Sequence, residues 1–290
     1  LLVLVWFACF GFCRIAMQLL MKLMSINWRN KMSINSDFKK KLVSKELLMG
    51  TFIKTPHPII VEIMANAGFD FLVLDAEHAP FDRTTIDMMI IAGRAENCPI
   101  IVRVPSSTSD WVLNVLDAGA AGIMVPHVKT AVQAELISKS TSYGIGGRGF
   151  AGTSRAANYA RRSMTEHLEK TYGEVSLICQ IEDPEGVINH ADIAAVDGVD
   201  ALFIGRADLA VSHGYTNFFA PEVTEMSNKM LGNKNTSTGL YCPPSEDLTA
   251  LHAAGGSLFV IGSDHSLMTT GGAILSQNFN KFRSSKDLIK

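Results

Sequence analysis

From about residue 40 onward the chain repeats one pattern: a short run rich in Val, Ile, Leu and Phe, a polar break, then a stretch with apolar residues at helical spacing. The short runs are MGTFIK (49–54), FDFLVLDA (69–76), PIIVRVP (99–105), GIMVPHV (122–128), VSLICQIE (175–182), ALFIGRADL (201–209), GLYCPP (239–244) and LFVIGSD (258–264). Between them PIIVEIMANAG, RTTIDMMIIAGRAE, SDWVLNVLDAGA, TAVQAELISKS, HADIAAV and SEDLTALHAAGG read as helices. Alternation of this kind implies parallel strands joined by right-handed crossovers, and eight units of it imply a closed (β/α)8 barrel (TIM barrel) rather than an open doubly wound sheet. The stretch from Ser140 to Glu174 exceeds what one helix needs, so the fourth unit is expected to carry an elaborated active-site loop.

Strands covered on both faces by helices should be nearly continuous in apolar residues. FDFLVL obeys this, and then Asp75, Glu77 and His78 break it within four residues. The other strands end the same way: Arg103 on the third, Gln180 and Glu182 on the fifth, Arg206 and Asp208 on the sixth, Asp264 on the eighth. Chemistry in such barrels sits at the C-terminal strand ends, so these groups are expected on one rim.

Each residue type suggests a use and has a plainer alternative. Glu182 and Asp208 offer hard oxygen ligands suited to Mg²⁺ or Mn²⁺, or they are solvated rim acids. His78 is either a general base, made more basic by the acids around it, or a structural histidine. Arg103, closing an apolar strand, needs an anionic partner, which a substrate carboxylate or developing oxyanion would provide. GIGGRG (144–149) lacks the preceding strand of a dinucleotide fingerprint and reads instead as a loop whose backbone approaches substrate.

Composition narrows the classes. With 47% hydrophobic and 19% charged residues among 290, the chain can bury a large core, and a net charge of -2 gives no sign of a polyanion partner. The basic segment RGFAGTSRAANYARR (148–162) carries no nucleic-acid motif and reads as a loop with anion contacts. Cys9, Cys13, Cys98, Cys179 and Cys242 are scattered with no C-x-x-C pair, as expected of reduced thiols in a cytoplasmic protein. Residues 1–31, opening with LLVLVWFACFGFC, form an apolar leader: a membrane anchor, a signal peptide, or upstream sequence ahead of a start at Met24 or Met32. The fold is therefore assigned to residues 32–290, and the leader is set apart from it.

The blocks GFDFLVLDAEHAPFD, VRVP, LDAGAAGIMVPHVKTAVQAE, GGRGFAG, CQIEDPEGVIN, GVDALFIGRADLAVSHGY and GSDHSLM, in that order, resemble the successive signatures of the HpcH/HpaI aldolase family over about residues 40–270. The nearest branch is similar to the 4-hydroxy-2-oxoheptanedioate and 2-keto-3-deoxy sugar acid aldolases. The resemblance implies a phosphoenolpyruvate/pyruvate-type (β/α)8 barrel. It also implies a metal-dependent pyruvate aldolase, usually hexameric, acting on a 2-oxo acid and an aldehyde. It implies His78 as base, Arg103 as transition-state stabiliser, and Asp117, with Asp75 sharing the role, as support for the histidine. It implies Gln180 and Ala207 as substrate contacts and Glu182 and Asp208 as ligands of Mg²⁺ or Mn²⁺, with Co²⁺ admissible. Arg206 departs from the family, which usually has proline there, and would place a further cation beside the metal. Rival expectations are an acyl-CoA thioester lyase of the same superfamily, a Schiff-base aldolase using Lys54 or Lys129, and a noncatalytic decayed barrel.

Overall fold

The computed structural model describes residues 33–287, so the apolar leader, with Cys9 and Cys13, lies outside the described residues. Eight parallel strands close into a barrel in chain order. They are β1 (Leu48–Ile53), β2 (Phe71–Asp75), β3 (Ile100–Arg103), β4 (Gly122–Val125), β5 (Ser176–Ile181), β6 (Ala201–Ile204), β7 (Ser237–Cys242) and β8 (Leu258–Ser263). The helices are α1 (Ile34–Val43), α2 (Pro58–Asn66), α3 (Arg83–Ala95), α4 (Ser109–Asp117), α5 (Ala131–Thr141), α6 (Met164–Glu174), α7 (Pro184–Ala194), α8 (Arg206–Ser212), α9 (Pro221–Leu231), α10 (Leu248–Ala253) and α11 (Asp264–Asp287).

The strands sort their side chains by parity. On β2, Leu72 and Leu74 pack outward against the helices, while Phe71 and Val73 fill the barrel. Ile101 on β3, Ile178 on β5 and Ala201 with Phe203 on β6 fill it too, and their sequence neighbours face the helix layer. Each such aliphatic group, once buried, contributes about 1.5–3 kcal/mol. The same parity continued to the strand ends carries Asp75, Arg103, Gln180 and Glu182 onto the inward face, above a hydrophobic interior.

The other end of the barrel is stoppered by α1. Phe38 and Leu42 enter the interior cluster, and Phe38 meets the Phe71 ring at 5.3 Å between centroids. Ser237 Oγ donates to Leu42 O, Asn35 Nδ2 to the carbonyls of Gly119 and Ala120, and Lys39 Nζ lies 3.0 Å from Asp200.

One expected element differs, and one helix stands where none was expected. ALFIGRADL is not one strand: β6 stops at Ile204, the chain turns at Gly205, and Arg206 opens α8. The polar stretch ahead of the seventh strand forms α9, whose Val223, Met230 and Leu231 are buried. Among the described residues no helix is long and apolar enough to cross a membrane. Cys98, Cys179 and Cys242 are free and buried, and burial pushes each thiol up to about 12.

Candidate active site

At the C-terminal mouth, β2 and β3 pair in register so that Asp75 stands beside Arg103. Arg103 Nε and Nη2 bind one oxygen of Asp75 at 2.9 and 2.8 Å, and Nε also lies 3.3 Å from Glu77. Lys54, leaving β1, brings Nζ to 3.3 Å from the other Asp75 oxygen, which is otherwise buried without a hydrogen bond. Burial opposes a charge on Asp75, but the charge and hydrogen bond of Arg103, with Lys54 beside them, win and hold its carboxyl below the usual range. Two arms of Arg103 are thereby fixed, and Nη1 is the arm neither acid uses. Its guanidinium also stacks over Phe52 at 4.5 Å.

His78 follows in the turn after β2. Its backbone N–H donates to Asp75 at 3.2 Å, and its half-exposed ring places Nε2 3.7 Å from Glu77. Asp75 therefore supports Arg103 and the His78 backbone, while the carboxylate beside the imidazole is that of Glu77.

Across the mouth, Glu182 follows β5 with 1% of its surface exposed. One oxygen accepts from the backbone N–H of His127 at 2.9 Å and lies 3.4 Å from that residue's Nδ1. The other accepts from Gln180 Nε2, whose own Oε1 is buried without a partner. Gly205 leaves room for this arrangement, because a Cβ on it would push against Glu182 Oε2 and Gln180 Nε2. Burial pushes Glu182 above the usual carboxylate range against the pull of Gln180 and His127, and nearby Asp208 pushes it further. Asp208 stands exposed in the first turn of α8. A buried carboxyl raised by burial, with a second acid nearby, hard oxygen donors and an orphan amide oxygen beside it, fits a divalent cation. Among the described residues there is no cluster of three or more His, Cys, Asp or Glu of the kind that encloses a metal, so the fit is to a site completed by water and substrate.

Other expected residues are placed elsewhere. Asp117 ends α4 at the N-terminal side of the barrel, where it accepts from Arg148 Nη1 at 3.3 Å. Within one chain it does not support His78, which lies beyond the opposite ends of the strands. The GIGGRG loop joins α5 to α6, also on that side, so it is not a loop of this mouth; it lines a cavity of about 560 Å³ with Tyr143, Arg148, Phe150 and Lys39. The anion contacts expected of the basic segment are internal ones: Arg148 binds Asp117, Arg155 binds Asp87 and Arg162 binds Glu174. Arg206 turns away from the acids of the site. It is buried, grips Glu246 with both terminal nitrogens, donates to Tyr241 O at 2.6 Å and lies over Phe218 and Phe219. Asp264 is a structural clamp, accepting the backbone N–H groups of Lys54, Thr55 and His265 at 2.9 Å each.

Sequence reasoning passed over His127, read as part of a strand. The strand ends at Val125, and the Pro126 that follows it was the available signal. Ala207 lies in the first turn of α8, beside Asp208.

The fold and this arrangement of acids, amide and guanidinium at a barrel mouth describe a class of barrel enzyme site. The model of the HpcH/HpaI aldolase/citrate lyase family matches residues 48–265, and the chain belongs to that family. A 4-hydroxy-2-oxovalerate aldolase of Rhodococcus jostii is 34% identical over 251 residues, covering 85% of this chain and 96% of that protein. A 5-keto-4-deoxy-D-glucarate aldolase of Escherichia coli K12 is 30% identical over 249 residues, covering 84% and 96%. Among solved structures, an HpcH/HpaI aldolase/citrate lyase family protein of Burkholderia cenocepacia superposes with a TM-score of 0.80 at 30% identity, covering 84% of this chain and 99% of that one.

Proposed function

We propose that this protein is a metal-dependent pyruvate aldolase, reversibly cleaving a 4-hydroxy-2-oxo acid to pyruvate and an aldehyde. The observation that carries the reading is the buried Glu182 carboxylate, raised by burial and by Asp208, facing the mouth that Arg103 and His78 share. The aldolase names of relatives at 30 to 34% identity support it. A divalent cation held by Glu182 and Asp208, Mg²⁺ or Mn²⁺ with Co²⁺ admissible, would supply Lewis-acid polarisation of the 2-oxo group.

The chain's own groups do the rest. Gln180 and the Ala207 backbone hold the substrate's carboxylate end. His78 takes the proton of the 4-hydroxyl, directly or through water, as the C3–C4 bond breaks and the aldehyde leaves. The electron pair released passes to the 2-oxo oxygen, where Arg103 Nη1 donates to the charge that develops. Proton return to C3 completes pyruvate. Glu77 stands beside His78, 3.7 Å from its Nε2.

The amines of the Schiff-base alternative are ion-paired, Lys54 to Asp75 and Lys129 to Asp183 at 3.2 Å, not set in the apolar pocket that activates an amine nucleophile. We further propose that the chain forms a homo-oligomer, a hexamer by family resemblance. In support, α11 carries Met268, Ile274, Leu275, Phe279 and Phe282 in the open, each more than half exposed.

The test is pyruvate release from a panel of free 4-hydroxy-2-oxo acids, and release of acetyl-CoA with glyoxylate from malyl-CoA, after chelation and after Mg²⁺ or Mn²⁺ is added back. Release from free acids should vanish with chelator and return with metal, and His78→Ala should lower it by about 10²–10⁴-fold. Release from thioesters alone would transfer the site to thioester cleavage, and folded protein inert toward both would leave a binding barrel.

A further inference from the structure

His127 has no part in the chemistry above, yet the molecule strains to hold it where it is. Its φ of 55° lies in the left-handed region, unusual for a residue with a Cβ and costly by about 1–2 kcal/mol. That conformation aims its backbone N–H at Glu182 Oε1 (2.9 Å) and sets its ring against the same oxygen. Nδ1 hydrogen-bonds the Asp183 carboxylate at 2.9 Å, an acceptor, so Nδ1 carries the proton, and Glu182 Oε1 lies 3.4 Å from the same nitrogen. The turn is tied down on every side: Val128 N–H donates to Gln180 O at 3.2 Å, Gln133 Nε2 to His127 O at 3.3 Å, and Lys129 N–H to Gln133 Oε1 at 2.9 Å. With Gln180 on the other oxygen, Glu182 is gripped from both sides.

We infer that His127 is a positioning residue for Glu182: its ring, anchored on Asp183 with the charged side of Nδ1 turned to Glu182 Oε1, keeps the carboxylate in the orientation that takes up a divalent cation. The inference rests on Glu182 and Asp208 holding that cation. A partner of this kind, donating to a ligand rather than binding the metal, typically governs affinity by 10–100-fold.

The experiment is equilibrium binding of Mn²⁺ to the metal-stripped full-length protein, read from the spin-resonance signal of free Mn²⁺. His127→Gly removes the ring while suiting the left-handed backbone, so the main-chain donor stays. It should weaken binding about 10–100-fold, with kcat at saturating Mn²⁺ falling by a smaller factor. His127→Asn tolerates the same backbone and sets an amide N–H close to the place of Nδ1, so it should recover most of the affinity. Should the glycine variant not fold, Asp183→Ala carries the test, because it removes the ring's anchor and should weaken binding several-fold. Wild-type affinity in His127→Gly, or in Asp183→Ala where that stands in, would overturn the inference. So would an asparagine variant as weak as the glycine one. Wild-type protein that binds no Mn²⁺ would overturn the metal centre and the role of His127 together. Binding abolished by Glu182→Gln but untouched by His127→Gly would overturn the role of His127 alone.

Discussion

The two ends of this barrel are both rich in charge, and they use it in opposite ways. At the N-terminal end the charges close onto one another: Lys39 on Asp200, Arg148 on Asp117, Arg155 on Asp87, Arg162 on Glu174. At the C-terminal mouth Asp75, Glu77, Glu182, Asp183 and Asp208 outnumber Lys54, Arg103 and Lys129, and the excess lies around a buried carboxylate. A surplus of acid that burial makes costly is the difference between a site and a set of braces. Counting charged residues would not separate the two ends; asking which are left uncompensated does.

The largest effect should come from Glu182→Gln, which removes the surplus while keeping the shape. Metal-stimulated pyruvate release is expected to fall by about a thousandfold or more, the several kcal/mol a Lewis acid contributes. A variant retaining a tenth of the activity would place the cation elsewhere.

Next is Asp75→Asn, which strips Arg103 of its buried partner and should cost about 3–5 kcal/mol, read as a lower urea midpoint at neutral pH. The folded carboxyl of Asp75 titrates below its ordinary value, so its stabilisation is present above the ordinary carboxylate range and is lost as pH falls through that range toward the folded value. The gap between wild type and variant should accordingly be widest at neutral pH and close below about pH 4. A gap of constant width would mean that lost packing, not the charge, sets the cost.

The smallest is Arg162→Ala at the braced end. It breaks two hydrogen bonds to Glu174, of 2.6 and 2.8 Å, in a partly exposed pair. Stability should fall by about 1–2 kcal/mol with pyruvate release per folded molecule unchanged. Lost turnover in a folded variant would erase the distinction between the ends.

Much of this was legible in the chain. All eight strands stand where the apolar runs put them, because strands covered on both faces leave an unmistakable composition. The inward positions of Asp75, Arg103, Gln180 and Glu182 follow from alternation within FLVLD, IIVR and SLICQIE. What misled was direction. Asp117 ends a helix just ahead of a strand, which in this architecture puts it at the N-terminal side of its own chain, away from His78. The GIGGRG loop, lying between a helix and the next strand, was misplaced for the same reason. Arg206 reads as a cation for the site only until Glu246, forty residues on, is folded against it. The helices α1 and α6 were missed because their apolar stripes are thin. Only Phe38 and Leu42 are buried on α1, and on α6 the buried side chains are His167 and Thr171.

The stopper formed by α1 also has a consequence in time. It is the first described element to leave the ribosome, but the Ser237 hydroxyl that fastens Leu42 comes 195 residues later, and Lys39 waits for Asp200. Contacts so distant in sequence are slow to form, because the loop must close before any contact compensates for it. Nascent chains shorter than β7 lack the Ser237 tie, and those shorter than β6 the Asp200 tie as well, so Phe38 and Leu42 are secured last. Completing the barrel and seating its first helix are one late event.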